Sequence, residues 1–597
     1  MKFRCRNMRW LTATVFSAVT FLFFLMFCRY QIIYHEQQQL FQYHFAYFIR
    51  TIEFPGGLAL YINCFLLQFF YYPWIGALIF TLIVLSVYAA VRNIFITFGI
   101  SDRNGFLSLF PAVAFCIILY DYQSDPSYLL TFTGSLLFFT FGIRITRRMF
   151  RFFAGCIGLI LLYFFSPASM LLAASLMIIH ELFIIGGRSK YIISAVYLSI
   201  TGIFPYLAWS AVYTAPLSEA YFSGFPFRET GLAGLLLCFA WLFVPAALLM
   251  TGIFPSMKAK KTKNRWVHIL TLSVLFAFAG SGLYHVSDKR VILLLRMNEA
   301  LSREEWGEVL HLSQKYPTSN RLVSYFTNIA LHKTGQMLES FFNYRQTGYS
   351  GLFIDWRRDY LTAMVGSEIF YQIGYINEAA HWAFEALTAS NSGENPRLLK
   401  RLIQTAIINE DYAVAAKYLH ILRSTLFYRK WANKHLSPLS DVEQIADLPW
   451  VSEKRSRWIK NDFLSGREAP ANLPLFFKEH PESKMAFEYL MMFYLLTKNM
   501  NEFMNHIGRV FNYDYTSMPT IFEEAILVHL NMTDADRETY MKYPIKKESY
   551  ERFYDYSEMY QNYSSNPQLQ KRELLKKFGN TYWYYYHFYQ PPEKLPE

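Results

Sequence analysis

The basic residues divide this chain in two. Residues 1–284 are a succession of apolar runs separated by short loops, and their 20 Lys/Arg fall almost wholly in every second loop. Residues 285–597 carry 37 Lys/Arg against 37 Asp/Glu, spread along the sequence. A backbone that crosses the hydrocarbon core must satisfy its amides within the segment, so runs of about 20 apolar residues fold there as helices. The chain is therefore read as all-α, a polytopic membrane domain over 1–286 followed by a soluble helical part. The first half holds 8 Asp/Glu, so it supplies the whole net charge of +12. The basic balance is thus a property of membrane loops, and nucleic acid is not an expected partner.

Nine spans are expected, near 10–28, 73–91, 106–120, 127–143, 152–165, 168–185, 191–212, 231–253 and 266–284. With the N-terminus in the cytoplasm, seventeen of the 20 Lys/Arg lie inside, and only Arg29, Arg50 and Arg228 lie outside. Short loops rich in Lys/Arg resist translocation, so the pattern predicts a bacterial inner-membrane protein whose second half is extracytoplasmic. The first run is long and has no small-x-small cleavage site before Arg29, and it reads as an anchor. All six cysteines lie in the first half, which leaves the second without a disulfide framework or cysteine metal site. The segment YHEQQQLFQYHFAYFIRTIEFPGGLALYINCFLLQFFYYP, rich in aromatic rings with polar tips, reads as interfacial helices on the outer face.

In the second half, three stretches read as an apolar helix, a short turn and a second helix. They begin at Tyr360, Asn395 and Glu482, with turns at Gly374 to Asn377, Asn409 to Asp411 and Thr497 to Met500, and a weaker copy begins at Ser319. Small residues at Ala379, Ala380, Ala415 and Ala416 stand where two helices would approach. This pattern of small and large positions resembles the tetratricopeptide family. It implies a helical-repeat domain over 287–535 that binds a protein or an envelope polymer. A Tyr-rich helical segment over 536–597 follows, with Tyr550, Phe553, Tyr554, Tyr560 and Tyr563 expected on one face and FGNTYWYYYHFY at 578–589. Aromatic stripes at helical spacing usually bury, so a core role is expected.

Outer loops supply Glu36, His44, Glu53, Asp121, Asp125, Glu219, Arg228 and Glu229. Carboxylates at one membrane face could activate a hydroxyl, with Arg228 pairing a donor phosphate; the alternative is a solvated rim that holds helix ends at the interface. His180 and Glu181 are expected to form an interfacial pair reaching water. No phosphate-binding glycine loop, HExxH, GxSxG or CxxC occurs.

The runs EQQQLF, PGGLALYINCFLLQFFYYPWIGAL, FEEAIL and FGNTYWYYYHF together resemble an uncharacterised bacterial family of multi-span membrane proteins with a helical extracytoplasmic tail. The layout is also similar to polytopic glycosyltransferases that use lipid-linked sugars, some of which append tetratricopeptide repeats. That second resemblance implies a catalytic carboxylate on the first outer loop, where this chain has Glu36, with Glu53, Asp121 and Asp125 as further catalytic candidates. The paired acidic residues usual there are missing. Membrane lipids are the expected partners under either resemblance. No cofactor is expected; a divalent metal and a lipid-linked sugar enter only with the glycosyltransferase reading.

Overall fold

The computed structural model describes all residues except 1, 101, 103–104, 254–264, 354–359, 391–392, 457–472, 475–476, 479, 534–542 and 590–597. The cytoplasmic assignments of Arg103, Lys258, Lys260, Lys261 and Lys263 lie outside the described residues. Among the described residues the chain is helical throughout, with no strand. It forms two compact units, Met1–Lys289 with Ile421–Lys430, and Arg290–His420 with Trp431–Glu597.

The first unit holds α1 (Lys2–Phe27), α2 (Arg29–Gln37), α3 (Phe45–Ile52), α4 (Gly57–Leu67), α5 (Pro73–Thr97), α6 (Leu109–Ile118) and α7 (Ser127–Gly142). They are followed by α8 (Arg148–Phe165), α9 (Pro167–His180), α10 (Lys190–Ala211), α11 (Leu217–Phe222), α12 (Gly231–Ile253) and α13 (Arg265–Val286). Among the described residues seven helices are long and apolar enough to cross a membrane: Trp10–Phe27, Pro73–Thr97, Arg148–Phe165, Pro167–Ile185, Lys190–Ala211, Gly231–Ile253 and Trp266–Val286. The other two expected spans are shorter. At 1.5 Å per residue, the ten residues of α6 and sixteen of α7 cover about 15 and 24 Å, short of a core about 30 Å thick. For α6 the cause is local: Asp102 accepts the backbone N–H groups of Leu107 and Ser108, both at 3.1 Å, and this turn precedes the start of α6.

The turn between α6 and α7 nevertheless reaches the end of the bundle where α1 finishes and α12 begins. There Gln31 Nε2 donates to the Tyr120 carbonyl at 3.3 Å, the rings of Tyr34 and Tyr122 meet edge to face, and the hydroxyls of Tyr120 and Ser287 lie 3.4 Å apart. At the opposite end Glu181 is buried, and its carboxylate receives Arg148 Nη2 at 3.1 Å and Arg151 Nη2 at 3.2 Å. His180 and Glu181 are therefore no pair reaching water. Two arginines one turn apart on α8 face the acid, and its desolvation is offset by charge-assisted bonds. A single turn of π-helix, Glu181–Ile185, follows at once.

The second unit is built on helix pairs. Its helices are α14 (Lys289–Ser302), α15 (Trp306–Lys315), α16 (Arg321–Lys333), α17 (Met337–Ser340), α18 (Tyr360–Ile373), α19 (Ile376–Ala389), α20 (Pro396–Ile408) and α21 (Tyr412–Arg423). Then come α22 (Arg429–Leu436), α23 (Val442–Ala446), α24 (Pro449–Arg455), α25 (Lys484–Leu496), α26 (Met500–His506), α27 (Thr520–Met532), α28 (Lys547–Asn562), α29 (Pro567–Phe578) and α30 (Tyr582–Phe588). The turns of three pairs pass through positive φ at Gly374, Glu410 and Lys498. Ala379 and Ala415, each at the same place in its pair, are fully buried. A Cβ on Gly366 would lie 2.3 Å from the Trp382 ring, so α18 and α19 approach closely only because that position has no side chain.

Cations from α24 close two of these pairs. Lys454 Nζ donates to the carbonyls of Tyr371 and Gln372 at 3.0 and 3.3 Å. Arg455 Nη2 and Nε donate to those of Ile407 and Ile408 at 2.8 and 3.2 Å. Both sets are carbonyls left over at helix C-termini, where positive charge also meets the negative end of the helix dipole.

The Tyr-rich segment is core, and the expected Tyr550, Phe553 and Tyr560 pack against it. Tyr554 is 71% exposed, and Tyr556 is the buried ring, packed with Phe553, Phe578 and Trp583. Trp583 and Tyr582 are fully buried. Trp583 Nε1 donates to the Glu524 carbonyl at 2.9 Å, and the Tyr582 N–H donates to the Glu524 carboxyl at 2.6 Å. Burial pushes that carboxyl up to about 8, with the carboxylates of Glu523 and Glu339 adding to the rise and Arg552 opposing it. The folded chain then keeps a proton that the unfolded chain releases near 4.5, so stability falls as pH rises from 4.5 to 8. Glu524→Gln should remove this slope, about 1.4 kcal/mol per pH unit at most, in thermal melts between pH 5 and 8.

Candidate functional site

Helix α2 begins two residues after α1 ends, and it turns one face into the first unit. Gln31, Ile32, His35 and Glu36 are all buried there, and Gln39 and Leu40 continue the same face. Polar residues in such positions need partners, since an unpaired buried polar group costs about 1–3 kcal/mol. Glu36 finds one at a distance of 392 residues. The Tyr428 hydroxyl donates to Glu36 Oε1 at 2.6 Å.

Tyr428 lies in Ile421–Lys430, the short segment that packs as part of the first unit. The Tyr43 N–H donates to the Ser424 carbonyl at 2.8 Å, and Phe427 stacks on Tyr71 with ring centres 5.0 Å apart and planes within 1°. Tyr72 and Phe69 meet Phe427 edge on. Glu36, Gln39, Leu40, Phe41, Gln68 and Thr425 to Tyr428 line a void of about 10 Å³, room for one water. Gln68 Oε1 accepts from the Tyr43 hydroxyl at 3.2 Å. His35 Nε2 and Gln39 Oε1 are buried with no bonding partner among the described residues.

Burial and the neighbouring Glu36 carboxylate push the Tyr428 phenol well above its usual value, so it stays the donor. Burial also lowers His35 to about 4, which keeps its ring neutral near pH 7. Tyr428→Phe removes the donor and leaves the carboxylate in place. Charged hydrogen bonds contribute about 1.5–3 kcal/mol, so this variant should loosen Ile421–Lys430, read as faster amide exchange in that peptide.

The other outer-loop candidates do not join Glu36. Glu53 is exposed and ends α3, while exposed His44 caps that helix by accepting the Ala46 N–H at 3.1 Å. Glu219 sits in the first turn of α11. Asp121 and Asp125 accept the backbone N–H groups of Gln123 and Ser127 at 3.1 and 2.8 Å, which fixes the turn between α6 and α7. Glu229 is near both. Burial first, and then the charges of Asp125 and Asp121, raise its carboxyl, against a hydrogen bond from Tyr128. Arg228 belongs to a short 3-10 turn, Pro226–Arg228, and its side chain lies outside the described residues. Among the described residues no group of three His, Cys, Asp or Glu is placed to hold a metal ion.

The sequence pointed to Glu36 as a catalytic carboxylate on the first outer segment; the structure shows it buried and bonded to Tyr428. The spacing of Gln31, His35, Glu36 and Gln39 on one helical face carries that signal, but nothing local identifies Tyr428. No curated protein and no solved structure matches the chain. The family comparison does match, over residues 5–589 and thus through both units, and the chain belongs to that family, described as a family of unknown function, DUF6057.

Proposed function

We propose that this protein is an integral scaffold of the bacterial inner membrane, with an extracytoplasmic, tetratricopeptide-like helical unit that binds a protein or envelope polymer during cell-envelope assembly. The observation that carries this reading is the state of Glu36. Its carboxylate is buried, bonded to Tyr428 and bordered by a void of one water's size, an arrangement suited to holding a segment in place. The helix pairs with buried Ala379 and Ala415 support the repeat reading of the second unit. The topology draws support from parity, since seven and nine spans are both odd and put the two ends of the first unit on opposite sides. A reporter fused after Asp288 tests this, and activity of a cytoplasm-only reporter there overturns it.

The second reading is glycan transfer from a lipid-linked sugar, with Glu36 as general base. One observation favours it: a hydroxyl already donates to Glu36 at 2.6 Å, the approach an acceptor hydroxyl would make. Glu53, Asp121, Asp125 and Arg228 would be its remaining catalytic and donor-phosphate candidates. Mass spectrometry of lipid-linked and surface glycans in a deletion strain, complemented with wild type or Glu36→Gln, separates the two. The scaffold reading expects identical glycans with both forms. A glycan defect rescued by wild type and not by equally expressed Glu36→Gln would overturn it in favour of transfer.

A further inference from the structure

The segment that carries Tyr428 is also the most one-sidedly charged stretch of the second half. Residues Tyr412 to Ser440 contain Lys417, Arg423, Arg429, Lys430 and Lys434 and no Asp or Glu, within a half whose Lys/Arg and Asp/Glu are equal in number. All five side chains are exposed. The basic loops at the other end of the bundle follow from the way short loops resist translocation. That rule does not account for a cluster more than 120 residues beyond α13.

Ring contacts set the depth of this segment. Phe427 stacks on Tyr71 and meets Tyr72 edge on, and α5 begins at the next residue, Pro73. Tyr71, Tyr72, Trp74 and Leu426 are all substantially exposed around this contact. Exposed Tyr and Trp at the start of an apolar helix occupy the level of lipid headgroups. Arg423, Arg429 and Lys430 therefore stand within four residues of Phe427, the ring seated at that level. Arg429 Nε donates to the Arg423 backbone carbonyl at 3.1 Å, which ties Arg429 back onto the strap that carries Arg423.

We propose that Arg423, Arg429 and Lys430 form a binding site for the headgroups of anionic phospholipids, with Tyr71, Tyr72 and Phe427 as its aromatic floor. The proposal rests on the membrane reading of the first unit and is independent of whether Glu36 is catalytic. Among the described residues these cations have no carboxylate partner, and phosphate oxygens would supply that negative charge. An acidic leaflet would thus press the strap down on the same side as the Tyr428 to Glu36 bond.

The test uses the full chain in nanodiscs of phosphatidylcholine containing 0, 10 or 30% phosphatidylglycerol, with amide exchange of the peptide over 421–430 as readout. Protection should grow with the phosphatidylglycerol fraction, fade in 0.5 M NaCl, and vanish in the Arg423→Gln, Arg429→Gln, Lys430→Gln triple variant. Near-surface cations each contribute about fivefold in affinity, so the variant should bind acidic lipid on the order of a hundredfold more weakly, beyond rescue at 30% phosphatidylglycerol. Arg423→Lys with Arg429→Lys should retain the response. Wild-type exchange that ignores phosphatidylglycerol overturns the proposal without any use of the variant. Equal protection by soluble dextran sulfate in pure phosphatidylcholine also overturns it and points to an anionic polymer. Extraction of the protein from membranes by alkaline carbonate would defeat the membrane reading itself, a result distinct from the other two.

Discussion

Replacing Glu368 by alanine should destabilise the second unit by about 3–5 kcal/mol, the usual cost of removing one partner from a buried ion pair. Its carboxylate accepts Arg401 Nη2 at 2.6 Å and Gln372 Nε2 at 2.9 Å, and Arg397 Nη2 lies 3.8 Å away. The Arg401 guanidinium also lies on the Tyr371 ring, 3.6 Å from its centre. Without Glu368, the largely buried guanidinium groups of Arg401 and Arg397 would lose the carboxylate they face. Burial alone would raise the Glu368 carboxyl, but Arg401 and Arg397 outweigh it and hold it at about 2. The unfolded chain takes up its proton near 4.5, so the contribution is complete above that pH and is lost as pH falls from 4.5 toward 2. Amide exchange over 360–408 should rise sharply in Glu368→Ala at pH 7, and wild type should approach the same behaviour near pH 2. Unchanged exchange in the variant would show that the guanidinium groups find water or another partner.

Trp583→Ala should have an effect of similar size, about 3–5 kcal/mol, as expected for emptying a buried tryptophan site. The indole is fully enclosed by Phe553, Tyr556 and Phe578, and its N–H is the donor to the Glu524 carbonyl. Trp583→Phe keeps much of the apolar contact and loses that donor, so it should cost clearly less. A melt of the full chain followed by cleavage within 547–589 distinguishes the two. The tyrosines beside it report on the same packing: the Tyr582 and Tyr585 hydroxyls donate to the carbonyls of Leu495 and Leu496 at 3.1 and 2.9 Å. The C-terminal aromatic run therefore caps α25, and its loss should be felt there as well as locally.

Much of this architecture is legible from residue order because the forces that set it are local. Apolar runs of span length are visible as such, and seven became long helices. Of the two that did not, α6 follows an Asp102 turn whose bonds reach five and six residues ahead, which hydropathy does not register, and α7 is a helix of sixteen residues. Helix pairs at 360–389 and 396–423 were legible from turn residues and small residues. On α28 the expected Tyr550, Phe553 and Tyr560 do pack against the core, whereas Tyr554 is exposed and Tyr556, chosen by its contacts with Phe578 and Trp583, is the enclosed ring. The site divides in the same manner. Glu36 stands out by its polar neighbours on an otherwise apolar background, whereas its partner Tyr428 is fixed by a long-range return of the chain to Tyr43 and Tyr71.

The cations of α24 carry a consequence for the order in which this chain can mature. In an array whose units touch only their neighbours, each helix pair can close as soon as it leaves the ribosome. Here the last carbonyls of α18 and α20 receive Lys454 and Arg455, which are synthesised well after both pairs are complete. At 5–20 residues per second, the interval between Ile408 and Lys454 is roughly two to nine seconds. During it, the nascent pairs hold helix ends open to water and to other chains. Sequential emergence is thus uncoupled from final closure, and α24 acts as a late checkpoint on segments made long before it.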